Sequence, residues 1–129
     1  MELSCGIDII EIMRIKKAID DSNEKFLSKV FTPAEIEYCE ARSAAKFQHY
    51  AARFAAKEAA AKALGLGFAK GVWWTDIEVV KDDNGKPMVK LYGQAKKTAE
   101  DLGIKTLNLS LSHCHEYAVA NVVCILHKL

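Results

Sequence analysis

The sequence predicts an α+β fold in which antiparallel sheet packs against one long alanine-rich helix and several shorter helices. Three observations carry that expectation. Residues 44–64 are dominated by alanine, the strongest helix former, and stop at Gly65. Residues 76–81 and 87–92 flank Asp83-Asn84-Gly85-Lys86, and Asn-Gly between two β-rich runs is a strong hairpin signal. Residues 106–113 alternate Leu107, Leu109 and Leu111 with Asn108, Ser110 and Ser112, the period of a half-buried strand.

The elements follow in order. Residues 2–12 are rich in β-branched side chains and read as a strand, with Cys5, Ile7 and Ile9 on one face. Gly6, Asp8, Ile10 and Ile12 share the other, so Asp8 interrupts an apolar neighbourhood. Residues 13–22 form a helix with Ile12, Ile15 and Ile19 on one side and Arg14 and Lys17 off it. A short segment around Phe26, Leu27 and Val30 comes next. Thr32-Pro33-Ala34-Glu35 opens a helix that runs to about Arg42, with Thr as N-cap, Pro in the first turn and Glu closing a capping box. After the long helix, a glycine-rich connection (Gly65-Leu66-Gly67 through Gly71) leads to Trp73 and Trp74, expected as core and interface aromatics. Residues 94–102 suit a short helix, 113–116 a turn and 117–126 the last strand. No repeat or linker divides the chain, so residues 1–129 are expected to form one domain.

Composition narrows the function. With 50% hydrophobic residues, 27% charged residues and a net charge of +1, no global field points to nucleic acid or membrane as a partner. No apolar run approaches the ~18 residues of a membrane span. Cys5, Cys39, Cys114 and Cys124 form no CxxC pair, and the N-terminus lacks the pattern of a signal peptide. Reduced thiols in a cytoplasmic protein are therefore expected.

A helical wheel of residues 46–64 supplies the candidate chemistry. Phe47, Ala51, Phe54, Ala55 and Ala61 fall within about 60° of one direction, predicted to face the core. Glu58 lies at the centre of that arc and Lys62 one turn later. One account is an i,i+4 ion pair. The other is a cation site shared with Asp8, since two carboxylates with waters and substrate phosphates commonly hold Mg²⁺. Lys46, Arg53 and Lys57 cluster about 100–140° away, as a solvated basic face or as an anion track for a phosphorylated ligand. His113 ends an alternating strand, where it is either semi-buried or turned to a ligand at the sheet edge.

These residues also carry a resemblance. Gly6-Ile7-Asp8-Ile9-Ile10-Glu11-Ile12 and Arg53-Phe54-Ala55-Ala56-Lys57-Glu58-Ala59-Ala60-Ala61-Lys62-Ala63-Leu64-Gly65 resemble the two signatures of the holo-acyl-carrier-protein synthases, the small class of 4′-phosphopantetheinyl transferases. Three further matches keep their order: Phe31-Thr32-Pro33 with Glu35 and Tyr38; Asp76-Ile77-Glu78-Val79 with Gly85-Lys86-Pro87; and Ser110-Leu111-Ser112-His113 with Tyr117-Ala118. Two positions depart from the family pattern. Gly65-Leu66-Gly67 stands where Gly-Thr-Gly is common, and Ile7 where threonine or leucine is frequent.

The resemblance implies the 4′-phosphopantetheinyl transferase fold and the transfer of phosphopantetheine from coenzyme A to a serine of apo-acyl carrier protein. Attack falls on the β-phosphorus and 3′,5′-ADP leaves, in fatty acid or polyketide synthesis. It implies Mg²⁺ held by Asp8 and Glu58. Lys62 would act as general base or charge stabiliser, with burial lowering its pKa toward the neutral amine that a base requires. Arg53, Lys57, Gly65 and His113 would bind coenzyme A, and Arg14 and Lys17 would dock the acidic carrier protein. A homotrimer with active sites at subunit interfaces is implied as well. Two alternatives use the same residues: a Mg²⁺-dependent nucleotide pyrophosphohydrolase, and a non-catalytic coenzyme A or carrier-protein binding module.

Overall fold

In the computed structural model, which describes residues 1–22, 24–68 and 71–127, the chain begins with strand β1 (Glu2–Glu11) and helices α1 (Ile12–Ser22), α2 (Glu24–Val30) and α3 (Pro33–Glu40). The long helix α4 (Lys46–Ala63) is preceded by a 3₁₀ turn at Ser43–Ala45. The hairpin β2 (Ile77–Lys81) and β3 (Pro87–Leu91), helix α5 (Gly93–Asp101) and strands β4 (Leu107–His113) and β5 (Tyr117–Leu126) complete it. The α+β expectation holds, and the element boundaries fall within two residues of those predicted. The predicted connection 65–71 includes residues 69 and 70, which lie outside the described residues.

Sheet is present in two pieces. An antiparallel sheet of order β1-β5-β4 carries the main core, and β2-β3 forms a separate ribbon. The Asn-Gly signal is realised as a turn with Gly85 at φ 81°, closed by Asp82 Oδ1, which accepts the backbone N–H groups of Asn84 (2.9 Å) and Lys86 (2.8 Å).

Register fixes which side chains meet α4. Gly6, Asp8 and Ile10 of β1 pair with Val122, Ala120 and Ala118 of β5, and Leu109 and Leu111 of β4 pair with the same Val122 and Ala120. That face lies under α4. Strand and helix approach closely because position 6 has no side chain: a Cβ there would stand 1.9 Å from the Ala59 carbonyl oxygen. Ser4 adds a second tie, its hydroxyl donating to Ala63 O at 2.7 Å.

Helix α4 is enclosed almost all round. Ala51, Ala52, Ala55, Ala56 and Ala59 through Ala61 are buried, and so are Arg53 and Lys57. Phe54, Glu58 and Lys62 form its least covered stripe. The wheel's assignment of Glu58 to the centre of the core-facing arc is therefore corrected. With alanine at most positions the apolar arc has no defined edge, and the helix turns its carboxylate toward the opening.

On the opposite face of the three-stranded sheet, the β1 and β5 strands leave an uncovered apolar area, while β4 presents Asn108, Ser110 and Ser112. Leu3, Ile7 and Ile9 are 70%, 60% and 62% exposed, and Val123 and Ile125 stand beside them on β5.

Candidate active site

Three of the predicted residues come together. Lys62 donates a hydrogen bond from Nζ to the carbonyl of Ile7 at 2.8 Å and stands 3.6 Å from Asp8 Oδ1. The i,i+4 ion pair with Glu58 is not the contact formed; Lys62 reaches across to β1 instead. Its expected burial is not found either, since the Lys62 side chain is 55% exposed. Among the described residues the Glu58 carboxylate has neither a hydrogen-bond nor an ion-pair partner.

The electrostatics agree with that geometry. Burial raises the Asp8 carboxyl above its ordinary value, against the pull of Lys62. Burial also raises Glu58, and the neighbouring Asp8 charge pushes in the same direction, with Lys62 opposing. Two carboxylates that repel one another, one of them unpartnered, would both be favoured by a nearby cation. Among the described residues no group of three or more His, Cys, Asp or Glu could hold a metal. A cation here would take these two carboxylates and complete its shell with water and ligand oxygens, and such a hard-oxygen donor set suits Mg²⁺.

Gly65 lies just past this end of α4, at φ 72°, with open space where a side chain would be. Its backbone is accessible beside Lys62.

A second cluster occupies another side of α4, since Arg53 and Glu58 are roughly 140° apart around the helix. The Arg53 guanidinium lies 4.0 Å from the Tyr38 ring centroid; Arg42 lies 3.9 Å and Lys81 4.7 Å from the same ring. His49 packs edge-on to Tyr38 at 5.6 Å and to His113 at 6.1 Å. Arg53 is only 3% exposed, and its Nε is buried without a hydrogen-bond partner. Burial lowers the His49 pKa, and the surrounding Arg53, Arg42, His113 and Lys81 lower it further. Burial would raise the Tyr38 phenol, but Lys81, Arg42 and Arg53 outweigh it and pull the group down to about 8. So much positive charge around one ring, with an unsatisfied buried guanidinium, is suited to a phosphate. Sequence reasoning found Arg53 and His113 but missed Tyr38, Arg42, His49 and Lys81. Arg42 is four residues after Tyr38 and His49 four residues before Arg53, but Lys81 and the meeting of these two pairs come from other elements.

Lys57 is a correction. Expected to bind the cofactor, it is fully buried and ion-paired to Glu35 Oε1 at 2.7 Å. Its ammonium also donates to Trp74 O at 3.2 Å and to Ile77 O. All three protons are used inside the protein, and none remains for a phosphate. Lys46 likewise leaves the expected anion track: it pairs with Glu40 at 3.3 Å.

Arg14 and Lys17 are exposed on α1 and, among the described residues, make no ion pair; Lys16 beside them pairs with Asp20 at 2.9 Å. Trp74 stacks between Phe68 (3.8 Å) and Phe54 (4.9 Å), whereas Trp73 is 71% exposed. The four cysteines are free thiols. Among the described residues no helix is long and apolar enough to cross a membrane.

Comparison with known proteins fits this arrangement. Residues 4–122 match the 4′-phosphopantetheinyl transferase superfamily. The chain is 54% identical over 123 residues to the holo-[acyl-carrier-protein] synthase of Ruminiclostridium cellulolyticum, covering 95% of this chain and 92% of that one. It is 50% identical to that of Geobacter sulfurreducens, covering 95% and 97%. Among solved structures, the Helicobacter pylori holo-[acyl-carrier-protein] synthase in complex with coenzyme A superposes with a TM-score of 0.82 at 35% identity, covering 94% of this chain and 99% of that one. The Neisseria meningitidis synthase superposes with a TM-score of 0.83 at 33% identity, covering 95% and 97%.

Proposed function

The chain belongs to the 4′-phosphopantetheinyl transferase superfamily, and from that premise we infer that it transfers the phosphopantetheine arm of coenzyme A to a serine of apo-acyl carrier protein, releasing 3′,5′-ADP. The observation that carries this is the meeting of Asp8, Glu58 and Lys62 on the open stripe of α4.

The residues divide the work. Asp8 and Glu58 would hold Mg²⁺, which would supply Lewis-acid charge compensation to the donor pyrophosphate. Lys62 adds a second positive charge at the same end, its ammonium fixed by the Ile7 carbonyl. We assign it to charge stabilisation rather than proton abstraction, because its contacts are those of an ammonium. Gly65 lets the donor approach the backbone beside it. Arg53 and His113, joined by Arg42 and Lys81, receive the phosphate on the nucleoside end of the donor. Arg14 and Lys17 form a local basic surface on a nearly neutral chain, suited to steering an acidic carrier protein.

The chain acts as one domain, since both apolar clusters pack against Ile10 and Leu111. It assembles as a homotrimer with shared active sites. The exposed Leu3, Ile7 and Ile9 supply a self-associating sheet face. The two half-sites lie on different sides of α4, so a donor reaching both would span neighbouring copies. Free thiols favour the cytoplasm, where this modification would serve fatty acid synthesis.

The test is the intact mass of an apo-acyl carrier protein incubated with this protein, coenzyme A and Mg²⁺. A gain of one phosphopantetheine, abolished by chelator, is expected. No gain across several carrier proteins with folded enzyme would overturn the assignment. Breakdown of coenzyme A without an acceptor would favour a hydrolase.

A further inference from the structure

We propose that Lys57 is a positioning residue that sets the rotation of α4, and so aims the neighbouring Glu58 at Asp8. The assignment rests on Asp8 and Glu58 being the metal ligands.

An ordinary helix is fixed about its axis by large side chains seated in the grooves of its neighbours. Around Glu58, α4 has few of them. Ala55, Ala56, Ala59, Ala60 and Ala61 are nearly flat and offer little resistance to rotation. Contacts on two sides supply what the alanines lack, with Ser4 and Lys62 adding to the β1 side. On one side, the Ala59 carbonyl abuts Gly6 so closely that no Cβ fits. On the other, Lys57 is held at three points: Glu35 Oε1 at 2.7 Å, Trp74 O at 3.2 Å and Ile77 O.

Glu35 is itself fixed. Its Oε1 accepts the Thr32 backbone N–H at 2.9 Å, and its Oε2 accepts that of Val79 at 2.8 Å. The Lys57 ammonium is thereby tied to the start of α3 and to β2. At about 100° per residue, Lys57 and Ala59 lie on opposite flanks of Glu58, each one step away. The two anchors hold the helix from both sides and leave Glu58 projecting between them. This also accounts for a buried lysine beside the motif glutamate whose three donors are all used within the protein.

The discriminating variant is Glu35→Gln with Lys57→Met. It removes one charge of each sign, so the net field at Glu58 is nearly preserved while the anchor is lost. A lysine acting only through its charge would, when neutralised alone, leave the site more attractive to a cation. An anchor predicts the opposite. Mn²⁺ serves as probe, its binding followed by electron paramagnetic resonance at low temperature on variants whose circular dichroism is native. A core variant, Val122→Ala, controls for lost stability.

We expect Lys57→Met and the double variant to bind Mn²⁺ about tenfold more weakly than wild type, and Val122→Ala to bind it normally. We also expect the double variant to recover much of the melting temperature that Lys57→Met loses, without recovering metal affinity. Wild-type Mn²⁺ affinity in the double variant, or equal weakening in Val122→Ala, would overturn the proposal. Absence of Asp8-dependent Mn²⁺ binding in the wild type would instead overturn the ligand assignment on which it rests.

Discussion

Gly6→Ala probes the approach of β1 to α4, on which the site depends. The added methyl would lie 1.9 Å from Ala59 O, 2.9 Å from its carbonyl carbon and 2.9 Å from Ala63 N. Carbon–oxygen contacts ordinarily close at about 3.3 Å, so strand and helix must separate by roughly 1.4 Å. Every obstructing atom is backbone, and no side chain can swing aside. Overpacking costs about 1–3 kcal/mol where neighbours can adjust, so we expect ~3 kcal/mol here. Asp8 is two residues along on the same face as Gly6 and moves with the strand, while Glu58 and Lys62 stay with the helix. Displacement by about 1 Å at reacting groups lowers rates on the order of 100-fold. Urea unfolding gives the first quantity. The initial rate of carrier-protein mass gain, measured in the cold on folded variant, gives the second. A Gly6→Ala protein with the wild-type urea midpoint and rate would refute the close-approach argument entirely.

Other perturbations separate the remaining roles. Asp8→Asn and Glu58→Gln should each abolish transfer while leaving the melting temperature equal or higher, because each removes a repelling buried charge; differential scanning fluorimetry with the mass assay decides. Both carboxyls are raised in the fold, from ordinary values of 3.8 and 4.5. From those values upward the native state binds more protons than the unfolded chain, so metal-free stability falls as pH rises through the folded pKa values. Mg²⁺ should suppress that fall, and Mg²⁺ affinity itself should weaken as pH drops through the same window, which calorimetry at several pH values would detect. Lys62→Met should change stability by no more than ~0.5 kcal/mol, as its pair is exposed, yet lower kcat on the order of 100-fold. Tyr38→Phe should remove a phenol titration near pH 8 from the ultraviolet spectrum, and Arg53→Gln should raise KM for coenzyme A about 10–100-fold with little change in kcat. Ile9→Lys should block assembly, read by sedimentation.

Local signals in the sequence were dependable wherever chemistry within a few residues decides the structure. The Asn84-Gly85 turn, the Thr32–Glu35 capping box and the alternation of Leu107 to Leu111 all form as their residues dictate. Asp8 comes within reach of Lys62, a contact the wheel did not foresee, because period-two alternation puts Asp8 on the helix-facing side of β1. Glu35 shows where local reasoning stops. Its capping role was legible, but the same carboxylate also holds Lys57 and Val79, partners 22 and 44 residues away. The Tyr38 cluster was illegible for a related reason: Arg42 follows Tyr38 by four residues in the turn after α3, but Arg53 from the middle of α4 and Lys81 from the end of β2 are brought to the ring only by tertiary packing.

The misplacement of Glu58 has a more general cause. A helical wheel finds the core by contrast between apolar and polar arcs, and α4 offers almost none. Alanine counts as apolar in every direction, so the apparent centre was set by Phe47 and Phe54, which are only half-buried. The most deeply buried functional side chains on the helix are a lysine and an arginine, the residues a wheel assigns to solvent. Each has surroundings the wheel cannot register: Lys57 meets three acceptors, and Arg53 lies over the Tyr38 ring. On an alanine helix, then, a long cation can be the inward group and a carboxylate the outward one. What distinguishes them is the presence of partners on neighbouring elements, and the helix turns to the angle at which its few large polar side chains are all accommodated.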